Sequence, residues 1–209
     1  MKKIVIFTGP MGVGKTTTFN LINDDCFQKV PELNLNDSII NWIIKESNKK
    51  DLKKPFEDII QTYLVGERAL KFLSAVDGVE NKILLMDRGP FDPLIFNESS
   101  KINFTTKMVL FNIIKNVLTS LKDVKILVIK FEAKPSLLID RINSRGRKFE
   151  DTNVLKQTIE NFNSDTEYVI NKLSNRNITK VDLKINVGDS EEKVLNKTKE
   201  IIESWKKSI

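Results

Sequence analysis

Apolar and polar positions alternate along this chain between two patterns. Ile4-Val5-Ile6-Phe7 is a short, β-branched run cut off by Gly9-Pro10, the pattern of a strand buried on both faces. A helix is predicted from about Lys15 to Asn23, then a weak strand near Phe27 to Pro31. Ser38 to Glu46 reads as helical with Asp37 as its cap. A longer helix opens at Pro55 and runs to about Val76, where Asp77-Gly78 stops it. Ile83 to Met86 is the next strand, with Asp87 at its carboxyl end. Thr105 to Leu121 is helical and Val124 to Phe131 is a strongly apolar strand. A helix over Ser136 to Ser144 is started by Pro135, and Val154 to Leu173 is a further helix. Lys180 to Val187 is strand-like, and Ser190 to Trp205 is an amphipathic helix. Strands that alternate with helices predict an α/β fold: a parallel sheet with helices on both faces. With no repeat or low-complexity linker, the expectation is one domain over residues 1–209.

The segment Gly9-Pro10-Met11-Gly12-Val13-Gly14-Lys15-Thr16 gives this pattern a chemistry. It meets the spacing Gly-x-x-x-x-Gly-Lys-Thr, between a predicted strand and a predicted helix, which is the context that confirms a phosphate-binding loop. The glycines let backbone N–H groups turn inward around phosphate oxygens. Candidate nucleotide contacts are Gly9, Met11, Gly12, Val13, Gly14, Lys15, Thr16 and Thr17. Lys15 is placed to reach the β- and γ-phosphates, and the Thr16 hydroxyl to ligate Mg²⁺. The fold expectation becomes a P-loop NTPase-type sheet, with ATP and Mg²⁺ as the cofactors.

Composition narrows the chemistry further. The 209 residues contain no histidine and one cysteine, Cys26. Imidazole bases, zinc clusters and intrachain disulfides are excluded, and acid–base work falls to carboxylates, Lys and Tyr. The formal charge of +6 favours anionic partners, but the lysines are scattered, as on a solvated surface. Met1-Lys2-Lys3 before Ile4 to Phe7 does not read as a signal peptide, because the apolar run is too short. No stretch approaches a membrane span, and a cytoplasmic location is expected. A guanine-reading Asn-Lys-x-Asp is missing: Asn81-Lys82-Ile83-Leu84 and Asn171-Lys172-Leu173-Ser174 both lack the aspartate.

Two further clusters bear on a second substrate. Asp87-Arg88 follows a strand, at the end of the sheet where ligands of open α/β folds bind. Asp87 can hold Mg²⁺, and Arg88 can steady an acceptor near the transferring phosphoryl group. Arg141 and Arg145 lie one helical turn apart, and Gly146 frees Arg147, so the three arginines suit a lid over about 141–150.

With these residues in place the sequence resembles the deoxynucleoside kinases, within the wider nucleoside and nucleotide kinase group. Arg141-Ile142-Asn143-Ser144-Arg145-Gly146-Arg147 followed by Glu150 is similar to that family's lid, whose glutamate holds the sugar 3′-hydroxyl. Gln61-Thr62-Tyr63 with Arg68 is similar to its base-reading helix, and Val30-Pro31-Glu32 to the strand end carrying its general base. Asp87-Arg88 matches its acid–arginine pair, and Asp92 a base-contacting aspartate. The family usually has Glu at position 87 and Ser at 89, and one more residue after the arginine. The resemblance implies γ-phosphoryl transfer from MgATP to the 5′-hydroxyl of a nucleoside. Its catalytic set would be Glu32, Lys15, Arg88, Arg141, Arg145 and Arg147, with Gln61, Arg68, Arg88, Asp92 and Glu150 on the acceptor, and Thr16 and Asp87 on the metal. It also suggests a homodimer packed through helices. The alternatives are a thymidylate-kinase-like monophosphate kinase, and a nucleic-acid-binding or regulatory P-loop ATPase. Against the last, the chain lacks the interleaving of aromatic and basic residues of a stacking groove, so no nucleic-acid partner is expected.

Overall fold

A computed structural model describes residues 1–32, 38–39, 42–43, 54–98, 102–145, 152–173 and 177–209. The elements, in chain order, are β1 (Lys2–Thr8), α1 (Lys15–Leu21), β2 (Phe27–Val30), α2 (Lys54–Gly78), β3 (Ile83–Asp87), α3 (Asp92–Glu98), α4 (Phe104–Ser120), β4 (Val124–Ala133), α5 (Pro135–Arg145), α6 (Thr152–Leu173), β5 (Ile178–Ile185) and α7 (Glu191–Ser208). The five strands form one sheet in the order β2-β3-β1-β4-β5, with every pairing parallel. This is the P-loop type of α/β sheet expected from the sequence.

Both sheet faces are covered, which is why the central strands are continuously apolar rather than alternating. On one face Ile4, Ile6, Leu84, Met86, Ile126 and Val128 pack with Val65 and Phe72 of α2, Leu110 and Ile114 of α4, and Phe162 and Val169 of α6. On the other, Val5, Phe7, Leu85, Leu127 and Ile129 pack with Phe19 of α1, Leu138 and Ile142 of α5, and Ile202 and Trp205 of α7. Helix α7 is capped by Ser190, which accepts from the Lys193 amide. It carries Glu191 and Glu192 in its first turn and Lys206 and Lys207 in its last, matching the helix dipole at both ends.

Three expectations are corrected. Helix α3 was not anticipated: it is only seven residues long, with Pro93 in the first turn, where proline is tolerated, and Leu94 and Ile95 buried. Strand β5 lies two residues earlier than its pattern suggested. Its central residues are only partly buried, so hydropathy marks its ends poorly, and pairing with β4 decides them. Helix α7 also continues past Trp205 to Ser208. Of the expected helix over Ser38 to Glu46, positions 38, 39, 42 and 43 are described and helical; its Asp37 cap lies outside the described residues.

Candidate active site

The site is assembled at the carboxyl ends of β1, β2 and β3, the crevice where parallel α/β sheets bind ligands. The loop between β1 and α1 leaves the sheet through Gly9 at φ 151°, and a Cβ there would lie 2.7 Å from the Phe131 carbonyl oxygen. Only glycine fits so close an approach at that angle. Gly14, at φ 99°, turns the chain into α1.

Lys15 is 5 % exposed, and its ammonium donates to the carbonyl oxygens of Gly9 at 2.8 Å and Pro10 at 2.9 Å. Burial, with Arg88 nearby, pulls its pKa down to about 7, against the upward pull of Glu32, Asp87 and Asp92. The Thr16 hydroxyl donates to Asp87 Oδ2 at 2.6 Å, and Phe7, one residue before the end of β1, pairs with Asp87. Asp87 Oδ1 is buried with no hydrogen-bond partner. Burial raises the Asp87 pKa, partly opposed by the Thr16 hydrogen bond. A buried carboxylate oxygen without a partner beside a threonine hydroxyl fits a Mg²⁺ site. No group of three or more candidate ligands occurs among the described residues, so phosphate oxygens and water would complete the coordination.

Glu32 stands just past β2 with its side chain 30 % exposed. Arg68 Nη2 donates to its Oε1 at 3.1 Å, and Arg88 Nε lies 2.7 Å from the same oxygen, a charge contact that is not aligned as a hydrogen bond. Burial pushes its pKa up, but Arg88, Arg68 and Lys15 more than offset this and hold it at about 2. Lys71 donates to the backbone carbonyls of Pro31 at 2.6 Å and Glu32 at 3.2 Å, which fixes the segment carrying the carboxylate.

Arg88 is 6 % exposed and sits at φ 71°, an uncommon conformation for a side chain other than glycine that costs roughly 1–3 kcal/mol. Its amide donates to Phe7 at 2.9 Å, Nη1 donates to the Gly9 carbonyl at 3.2 Å, and the guanidinium lies 4.9 Å from the Phe96 ring centroid. Glycine at 89, where the resemblance leads one to expect Ser, has a steric reason: a Cβ there would lie 2.8 Å from Ile6 Cγ2.

The sequence model of the deoxynucleoside kinase family matches residues 4–207. The chain belongs to that family. The members of this family are nucleoside kinases, ATP-dependent phosphotransferases that generally use Mg²⁺. No individually curated protein matches the chain. No described helix of the kinase is long and apolar enough to cross a membrane.

The kinase thus brings Lys15, Thr16, Glu32, Arg68, Asp87 and Arg88 together, although α1, α2 and the ends of β2 and β3 supply them from distant stretches. Gln61 shares the Arg68 side of α2 and is partly exposed. Arg141 lies on α5 beside a cleft of about 340 Å³, lined also by Gly12, Thr17, Ser144, Ile185 and Asp189. The Arg145 side chain, Arg147 and Glu150 lie outside the described residues. Asp92, expected from the resemblance to contact a base, has no exposed surface, and both its oxygens accept hydrogen bonds from protein groups. Sequence reasoning missed Thr8, Lys71, Ile185 and Asp189. Asp189 had a readable signal, an acid before a capped helix at the carboxyl end of the last strand.

Proposed function

We propose that this kinase transfers the γ-phosphoryl group of MgATP to the 5′-hydroxyl of a nucleoside or deoxynucleoside. The observation that carries the reading is the state of Glu32: an ionised carboxylate beside Arg88 and across the strand ends from Lys15, Thr16 and Asp87. Amides of the loop from Gly9 through Met11, Val13 and Gly14 cradle the donor phosphates, and Lys15 exchanges its two loop carbonyls for phosphate oxygens. Thr16 and Asp87 would hold Mg²⁺, which supplies charge neutralisation on the bridging and terminal phosphate oxygens. The donor base takes the cleft between Arg141 on α5 and the loop bearing Asp189.

Glu32 accepts a hydrogen bond from the acceptor hydroxyl and takes its proton as the bond to phosphorus forms. A base of pKa about 2 suffices because the loose transition state needs orientation more than early deprotonation. Arg88, with Arg141, Arg145 and Arg147 of a lid across 141–150, balances charge on the transferring group. Gln61 reads the base edge, supported by Arg68, and Glu150 holds the sugar.

The electrostatics favour a neutral acceptor. Arg68 is paired with Glu32, and Arg88 with Glu32 and Asp92, so an acceptor phosphate would have to compete with these carboxylates for either cation. A monophosphate acceptor would have to displace Glu32 from both. Residues 1–209 are assigned to one domain working in the cytoplasm, where ATP is at hand. A second copy of the chain is its proposed partner through α4, whose Phe104, Met108, Val109 and Ile113 are exposed. ADP release measured across nucleosides and their monophosphates tests the reading. Turnover with nucleosides is expected, and turnover with monophosphates alone contradicts it.

A further inference from the structure

We propose that Asp92, paired with Thr8, is a positioning residue of phosphoryl transfer that holds the Arg88 guanidinium between the phosphate loop and Glu32 without touching the acceptor. The inference rests on the nucleoside kinase reading of the same site. Asp92 is 0 % exposed. Its Oδ1 accepts from the Thr8 hydroxyl at 2.9 Å and from Arg88 Nη1 at 3.1 Å, and its Oδ2 accepts from the Gly89 amide at 2.7 Å. A buried carboxylate with both oxygens engaged is satisfied by protein alone and has no atom turned toward a ligand.

Each of the three bonds acts on Arg88. The Gly89 bond fixes the turn in which Arg88 keeps its positive φ. The ion pair aims the guanidinium so that the same Nη1 meets the Gly9 carbonyl and Nε faces Glu32. The Thr8 bond ties this arrangement to the last residue of β1, directly before the phosphate loop. Asp92 therefore joins donor loop, arginine and base into one rigid unit. An error of about 1 Å in such a unit can cost about a hundredfold in rate.

Two near-isosteric variants, Asp92→Asn and Thr8→Val, are compared with wild type in kcat, in KM for ATP and nucleoside, and in the ranking of nucleosides. Asp92→Asn is expected to lower kcat about 10- to 100-fold and Thr8→Val about 3- to 10-fold, with acceptor KM within about threefold and the ranking unchanged. In an Arg88→Lys background either substitution should add little, because its effect passes through the guanidinium. A rise of about tenfold in acceptor KM, or a changed ranking with kcat kept, would overturn the proposal in favour of direct base contact. Unchanged kcat in both variants, or losses that simply add to that of Arg88→Lys, would overturn it also. If Asp92→Asn does not fold, the Thr8→Val cycle decides alone. A wild type that phosphorylates no nucleoside removes the reading beneath the proposal, whereas an active wild type with indifferent variants removes the proposal only.

Discussion

At the scale of single residues, the site stores its function in displaced proton equilibria. Lys15 ionises at about 7 in the free protein because burial and Arg88 disfavour its ammonium. Bound phosphates would restore the charge, so the pKa of the complex exceeds that of the free protein and ATP binding takes up protons above pH 7. Calorimetry in two buffers of different ionisation enthalpy should show this uptake growing from pH 7 to 8, with ATP affinity weakening over the same range. Affinity that is flat with pH, and no uptake, would contradict it.

Asp87 shows the opposite trade. Its pKa is raised by burial, so its ionised form is costly to the free protein and useful only when a cation neutralises it. Asp87→Asn should lower kcat by about a hundredfold or more, while the midpoint of thermal unfolding stays level or rises, since a desolvated carboxylate has been removed. Activity that requires ionised Asp87 is lost as pH falls through its raised pKa, so the acid limb of kcat/KM lies above the ordinary aspartate range. A variant that loses stability and keeps its rate would refute this assignment.

At the scale of elements, the question is what fixes α6, which follows the proposed lid, against the sheet. Lys130 of β4 is 2 % exposed and meets Glu132 at 2.5 Å, Glu167 of α6 at 2.8 Å and Asp182 of β5 at 3.5 Å; Lys180 joins the same Glu167 and Asp182. Lys130→Met leaves three carboxylates with one lysine. Because Glu167 and Asp182 are part-solvated, the loss is discounted from the fully buried case to about 1–3 kcal/mol. That corresponds to about 2–12 °C in Tm for a chain of this size. The Lys130 and Lys180 hydrogen bonds hold the Glu167 pKa below its usual value. Its contribution is therefore present above the ordinary glutamate range and lost as pH falls through the lowered value. The gap in Tm between wild type and variant should narrow in acid, and a gap that widens there would refute the ion-pair account.

Element order was largely legible because buried parallel strands and amphipathic helices leave local, periodic signals. The exceptions are physical. Helix α3 is short and carries Pro93 in its first turn, and β5 has a half-exposed centre whose bounds are set by β4. Residue environments were less legible than elements. The phosphate loop could be read outright, since its chemistry lies in one contiguous turn. Glu32 and Arg68 were marked only by resemblance, because the pair forms between β2 and α2. The burial of Asp92 could not be read, since its partners come from the end of β1 and the turn after β3.

At the scale of the whole molecule, the carboxyl ends of the strands bring the phosphate loop and the Glu32–Arg68–Arg88 cluster side by side. In the proposed reading the donor half is the loop with Lys15, Thr16 and Asp87, and the acceptor half is Glu32 with Arg68 and Arg88. Net charge plays little part in this division, because Arg68 and Arg88 are paired with carboxylates and the described lysines other than Lys15 and Lys130 reach the surface. What separates this arrangement from a hydrolytic ATPase is the fate of the γ-phosphoryl group. The most direct measurement is therefore to incubate the protein with ATP labelled in that group and a panel of nucleosides, then identify the labelled product. The account predicts label in a nucleoside 5′-monophosphate, formed in step with ADP and lost in Glu32→Gln. Label found only in inorganic phosphate, or only in nucleoside diphosphates made from monophosphates, would contradict it.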